Sequence, residues 1–187
     1  MTKVSIGNKL TLQEFLMLPE TDVNYEFVNG HAIPKVSPKA FHSALQAALL
    51  FLIRQWCKGK GRVYPEWAIL LKRKGEDWAP VPDITYISYK RLPKSWKQNE
   101  ACPKIPELVI EIISPDQTIK EFADKAKDYF DAGVSRVWVV DPEQMNIRVF
   151  FSAELSQVYT NSMLIVDDLL PGLELTVRQI FAEAELI

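Results

Sequence analysis

The chain has 187 residues, 48% hydrophobic and 25% charged, with 22 Lys and Arg against 24 Asp and Glu for a formal net charge of −2. This composition excludes a disordered chain and predicts one globular domain over 1–187, while the near-neutral charge argues against indiscriminate binding to nucleic acid, where affinity comes from neutralising many phosphates. No stretch approaches the roughly 20 apolar residues of a membrane helix, and the start of the chain lacks the basic-then-apolar order of a secretory signal; the expectation is a cytoplasmic protein with no membrane partner.

Thr11 and Glu14 form a capping box that predicts a short helix through Leu18, closed by Pro19. Tyr25 to Ile33 alternates around Asn29-Gly30, a dipeptide that tolerates the positive φ angles of a tight turn, and predicts a two-stranded ribbon. Ser37-Pro38 supplies an N-cap and a first-turn proline for a helix to about Cys57, in which Leu45, Leu49, Leu52 and Trp56 recur at helical spacing. Arg62–Lys72, Asp83–Ser88 and Leu108–Ile113 read as strands of one sheet, separated by turn chemistry at Lys74-Gly75-Glu76-Asp77 and by a proline-punctuated loop near Pro93. A second capping box, Thr118 with Glu121, opens a helix to Gly133. Val137–Val140 is a strand, Ile147 to about Tyr159 a hairpin, and Thr176 starts a last short helix. The order helix, three strands, helix, strand predicts a mixed α/β domain in which Leu108–Ile113 and Val137–Val140 lie parallel. Cys57 and Cys102 stand far apart without metal-ligand spacing, which predicts two reduced thiols in or near the core.

The most informative segment is Leu108 to Ile113, a continuous apolar run with Glu111 inside it. Such a run reads as a strand covered on both faces, where an unpaired carboxylate costs several kcal/mol. Glu111 is therefore expected to be protonated, salt-bridged or bound to a cation. Asp83 follows Val81-Pro82 at the head of another apolar strand, from which a carboxylate can point to a strand end. Two carboxylates on neighbouring strands can share a hard cation such as Mg²⁺, which takes oxygen ligands and keeps several waters.

Pro82-Asp83, followed 28 positions later by Glu111, resembles the PD-(D/E)XK motif of restriction-endonuclease-like nucleases. More narrowly, Tyr25 to Gly30, Ser37-Pro38 with His42, Ser114-Pro115, and Lys125, Tyr129, Ala132-Gly133-Val134 with Trp138 to Pro142 are similar to a large bacterial family of uncharacterised endonuclease-like proteins. The resemblance runs from about Thr11 to Phe181. It implies a restriction-endonuclease-like core, with a mixed central sheet flanked by helices in the order αβββαβ, an N-terminal helix and hairpin, and a C-terminal hairpin and helix. It also implies Mg²⁺ or Mn²⁺ held by Asp83, Glu111 and the Ile112 carbonyl, phosphodiester hydrolysis, and a nucleic-acid substrate, DNA by expectation. By superfamily analogy a homodimer is the expected assembly.

One departure stands out: the superfamily pattern places a lysine two positions after the glutamate, where this chain has Ile113. In the resembling family the lysine sits on the following helix, eight positions before the Gly-Val pair, which selects Lys125. Helical spacing alone leaves Lys127 open, because both lysines flank the apolar stripe of Ile119, Phe122, Ala123, Ala126 and Phe130. The same resemblance makes Glu26 and His42 secondary candidates, and Glu66, inside the first long strand, is an outside one. Each also has a structural reading, as a solvent-facing glutamate or a helix histidine bonding a neighbour.

Charge is unevenly spread, with 14 Lys and Arg against 5 Asp and Glu between His31 and Lys104. A polyanion-facing surface or simply solvated turns would produce it. Trp67, Trp78, Tyr89 and Trp96 lie in this region, where core packing competes with base stacking. Walker, dinucleotide and serine-hydrolase signatures do not occur. The rival to a nuclease is a non-catalytic nucleic-acid or protein-interaction module that keeps the fold.

Overall fold

The computed structural model describes residues 9–19 and 23–187. Helix α1 (Leu12–Leu16) starts on the expected reciprocal cap of Thr11 and Glu14 and stops two residues short of Leu18. Strands β1 (Tyr25–Val28) and β2 (His31–Pro34) pair about Asn29 and Gly30, whose φ angles of 52° and 82° suit the twist of a tight hairpin. Helix α2 (Ala40–Trp56) corrects an expectation: its N-cap is Lys39, with no side-chain cap, and not Ser37. Residues 35–38 stay outside the helix and line a cavity instead.

A larger correction concerns Arg62–Lys72, which is not one strand. β3 (Gly61–Pro65) ends at Glu66, where φ of 47° turns the backbone, and the chain re-enters extended structure as β4 (Leu71–Arg73) in a different sheet. The turn after it is only Lys74-Gly75, with φ of 53° and 86°, and the expected turn residues Glu76 and Asp77 belong to β5 (Glu76–Ala79). Next come β6 (Ile84–Ser88), β7 (Leu108–Ile112), α3 (Ile119–Asp131) and β8 (Arg136–Asp141). The chain finishes with the β9 (Asn146–Phe150) and β10 (Ser156–Thr160) hairpin, the short pair β11 (Leu164–Ile165) and β12 (Leu175–Thr176), and α4 (Val177–Glu183). Capping boxes at Thr118 and Thr176 start α3 and α4, the second completed by Gln179.

The central sheet has six strands in the order β10-β9-β8-β7-β6-β3. Only β7 and β8 run parallel in it, because α3 carries the chain back between them, and the other neighbours are antiparallel. On one face Leu45, Leu49 and Ile53 of α2 and Ile180 and Phe181 of α4 pack on Leu108, Ile110 and Ile112. On the other, Phe122, Ala126 and Tyr129 of α3 meet Val109, Val137 and Val139. A second, four-stranded sheet, β2-β1-β5-β4, joins that side through Leu71 and Trp78. β7 is thus buried at every position, as its apolar run predicts. Cys57 and Cys102 are free and buried. Among the described residues no helix is long and apolar enough to cross a membrane.

Candidate active site

The antiparallel register of β6 and β7 pairs Ile84 with Ile110, so Asp83 falls opposite Glu111 one step beyond that pair. The Asp83 Oδ2 accepts the Ile112 N–H at 2.6 Å, which ties this carboxylate to the main chain beside Glu111. Glu111 points to the face covered by α3. There Lys125 and Tyr129, one helical turn apart, both reach its Oε1, the ammonium at 2.9 Å and the phenol donating at 2.7 Å. Lys127 does not reach the cluster; it is exposed and pairs with Asp124 at 3.6 Å.

Glu26 comes from β1 of the second sheet and is not solvent-facing. Its Oε1 accepts Lys125 Nζ at 2.7 Å and the Val81 N–H at 3.2 Å. His42, in the first turn of α2, sets Nε2 3.1 Å from Asp83 Oδ2, while its buried Nδ1 has no hydrogen-bond partner among the described residues. Glu66, at the break after β3, accepts Lys35 Nζ at 2.7 Å and Gln46 Nε2 at 3.0 Å. Glu26, Lys35, His42, Asp83, Glu111 and Lys125 line one cavity of about 430 Å³, in which Ile112 and Glu66 also take part.

Sequence reasoning missed Lys35, Gln46 and Tyr129 as members of this cluster. Lys35 Nζ bridges Asp83 Oδ1 at 2.9 Å, Glu66 and the Val81 carbonyl at 2.8 Å; it lies in a loop, where no periodicity points it inward. Gln46 follows His42 by one helical turn and donates to the Asp83 carbonyl at 2.9 Å, so helical spacing was the available signal. Tyr129 follows Lys125 in the same way.

The ionisation of the cluster is set by burial against pairing. Burial alone would raise the Asp83 carboxyl, but the His42 hydrogen bond and the Lys35 ammonium outweigh it and hold the pKa at about 2. For Glu111 burial wins: helped by the negative charges of Asp83 and Glu26 and only partly offset by Lys125, it pushes the pKa up to about 7. Burial opposes the charged form of Lys125, yet Glu111 and Glu26 overcome it and raise its pKa, so the ammonium persists. Five acidic side chains, Glu26, Glu66, Asp83, Glu111 and Glu121, thus line the cavity with two lysines, Lys35 and Lys125. Among the described residues no three or more His, Cys, Asp or Glu side chains are gathered to hold a metal by themselves.

Residues 12–178 match the model of the Uma2 family, described as "Putative restriction endonuclease", and the chain belongs to that family. Its structure is similar to that of "a putative nuclease belonging to DUF820 from Anabaena variabilis", with a TM-score of 0.78 and 27% identity, over 94% of this chain and 99% of that one. No curated protein matches the sequence.

Proposed function

We propose that the protein hydrolyses phosphodiester bonds in nucleic acid, with DNA as the expected substrate, by a metal-dependent mechanism on a restriction-endonuclease-like core. The observation that carries this reading is the meeting of Asp83, Glu111 and Lys125, from three separate elements, in one cavity with a surplus of negative charge. The run α2, β3, β6, β7, α3, β8 has the αβββαβ order of such a core, and the family match supports the reaction class.

The donor set fits Mg²⁺ or Mn²⁺. These ions are commonly held by one or two carboxylates and leave the other positions to water and substrate phosphate. Asp83, Glu111 and the Ile112 carbonyl would hold the ion, and the negative charge of Asp83 and Glu26, which adds to burial in raising the Glu111 pKa, is what a dication would neutralise. The metal, when bound, supplies Lewis acidity toward the phosphate oxygen and lowers the pKa of water. Lys125, kept protonated between Glu111 and Glu26, presents a fixed positive charge to the negative charge that develops on the phosphate. His42 and Lys35 hold the Asp83 carboxylate ionised and in place. A homodimer, which would present two such clefts to two strands, is part of the same proposal.

One observation favours the rival, a binding module without chemistry. The Asp83 oxygens already receive Lys35, His42 and the Ile112 amide, so a metal must share or displace these donors. Thermal melting with millimolar Mn²⁺, run beside cleavage of supercoiled plasmid, separates the two readings. The nuclease reading expects a raised melting temperature and cutting, with Asp83→Asn losing both and at least about 100-fold in rate. Undiminished cutting by Asp83→Asn overturns the mechanism, and absence of both shift and cutting in the wild type favours the module.

A further inference from the structure

Outside the cleft, aromatic rings gather at the exposed edge of the central sheet. β3 is the edge strand there, and Tyr64 near its end is 41% exposed. The Tyr64 and Trp67 rings meet edge to face with centroids 5.0 Å apart, and Trp67 lies 5.8 Å from Trp96. The Trp67 indole N–H donates to the Glu100 carbonyl at 2.9 Å. Arg62 lies 5.4 Å over the Trp96 ring and donates to the Trp96 and Pro93 carbonyls at 3.0 and 2.9 Å. These bonds fix the rings before any ligand arrives, which lowers the ordering cost of stacking on them. Trp78, by contrast, is buried against Tyr129 and has no part in this surface.

The rings border an open groove of about 1140 Å³, somewhat above the roughly 300–1,000 Å³ of a small-molecule pocket and better suited to an extended chain. Glu66 lines both this groove and the cavity that holds Asp83 and Glu111, so the two adjoin at this side chain. Within the groove Arg62 and Lys97 are matched by Glu66 and Glu100. Phosphate neutralisation therefore contributes little here, and ring faces are what the groove offers to a ligand.

We infer that this groove seats unpaired bases of a single-stranded nucleic-acid segment continuous with the phosphodiester held in the cleft. The inference rests on the nuclease reading for the identity of the cleft's substrate. Unpaired bases expose their faces to aromatic side chains, whereas duplex bases are already stacked on each other. Tyr64, the most accessible ring, is the contact that a base meets first.

Fluorescence anisotropy of a labelled oligothymidylate and of a labelled duplex, in EDTA so that no metal acts, tests this on the full chain. A single strand is expected to bind more tightly than the duplex. Tyr64→Ala should weaken single-strand binding about tenfold, within the range of one lost base–aromatic stack, and Tyr64→Phe should bind like the wild type because the ring remains. Equal single-strand binding by Tyr64→Ala and wild type, or a duplex bound as tightly as a single strand, overturns the groove assignment. Absence of any nucleic-acid binding overturns it too and leaves the rings to a protein partner. Plasmid cleavage is read separately: if Tyr64→Ala weakens binding but no metal supports cutting, the nuclease reading fails and the groove stands. If the plasmid is cut while Tyr64→Ala binds single strands normally, the groove fails alone.

Discussion

A buried glutamate stands near each end of β7, and the two solve the problem of burial differently. Glu107, just before the strand, accepts the Ser88 N–H at 2.9 Å and the Ser88 hydroxyl at 2.6 Å, and pairs with Arg91 at 3.1 Å. Arg91 is itself held by the Ile105 and Pro106 carbonyls and by Ser135. One anion meets one cation, and the remaining donors and acceptors are used locally. Glu111 has Lys125 and Tyr129 on a single oxygen and shares its surroundings with Glu26, Asp83 and Glu66. Burial alone thus does not mark a site. What separates the two ends is whether charge is balanced on the spot or left in excess beside a cavity.

The sharpest way to break this contrast is to neutralise each glutamate in turn. Glu111→Gln is expected to lower plasmid cleavage by at least about 100-fold while the folded state holds or gains stability, because an amide relieves the surplus negative charge. Glu107→Gln should keep cleavage near wild type and cost about 1–3 kcal/mol in urea unfolding, since Arg91 loses its anion. Equal loss of cutting in both variants would erase the distinction.

A smaller effect sharpens it through pH, in metal-free protein. The folded Glu111 carboxyl titrates at about 7 against an ordinary value of 4.5, so the folded chain holds this proton more tightly than the unfolded one. Its contribution to stability is complete below about 4.5 and is lost as pH rises through about 7. Asp83 acts in the opposite sense: held at about 2 against 3.8, it stabilises above 3.8 and loses that contribution as pH falls toward 2. Urea unfolding across both windows should therefore show wild type losing stability relative to Glu111→Gln between about 4.5 and 7. A constant difference across that range would contradict the assignment.

The smallest expected change comes from Tyr129→Phe, which deletes the phenol donor to Glu111 and nothing else of the ring. A cost of about 1 kcal/mol in stability is expected, with cutting reduced less than tenfold and the acid limb of its pH profile moved upward. The limb moves up because the lost hydrogen bond favoured the charged carboxylate. A downward shift would mean that Tyr129 serves the neutral form.

Much of this arrangement was legible from local chemistry. The capping boxes at Thr11 and Thr118, the helix start at Thr176, the Asn29-Gly30 turn and the apolar run around Glu111 announce themselves within a few residues. Asp83 was readable as a strand-head carboxylate, although its place opposite Glu111 depends on a register that only the paired strands define. Lys125 was selected over Lys127 by family resemblance, since the two flank one apolar stripe and helical period cannot choose between them. The break at Glu66 was invisible, because an ordinary residue adopts the left-handed turn where glycine would have signalled it. Lys35 was invisible for another reason: its partners Glu66 and Asp83 are 31 and 48 positions away.

The contact between Lys125 and Glu26 joins positions 99 apart in the chain. Closing so long a loop costs entropy, and the bond depends on β1 and α3 being brought together by the packing of the two sheets. During synthesis, with the N-terminal part emerging first, no ribosome-bound chain that ends before α3 can possess the complete cleft. Any reactivity of the cleft is thereby withheld from nascent protein until α3 has been made.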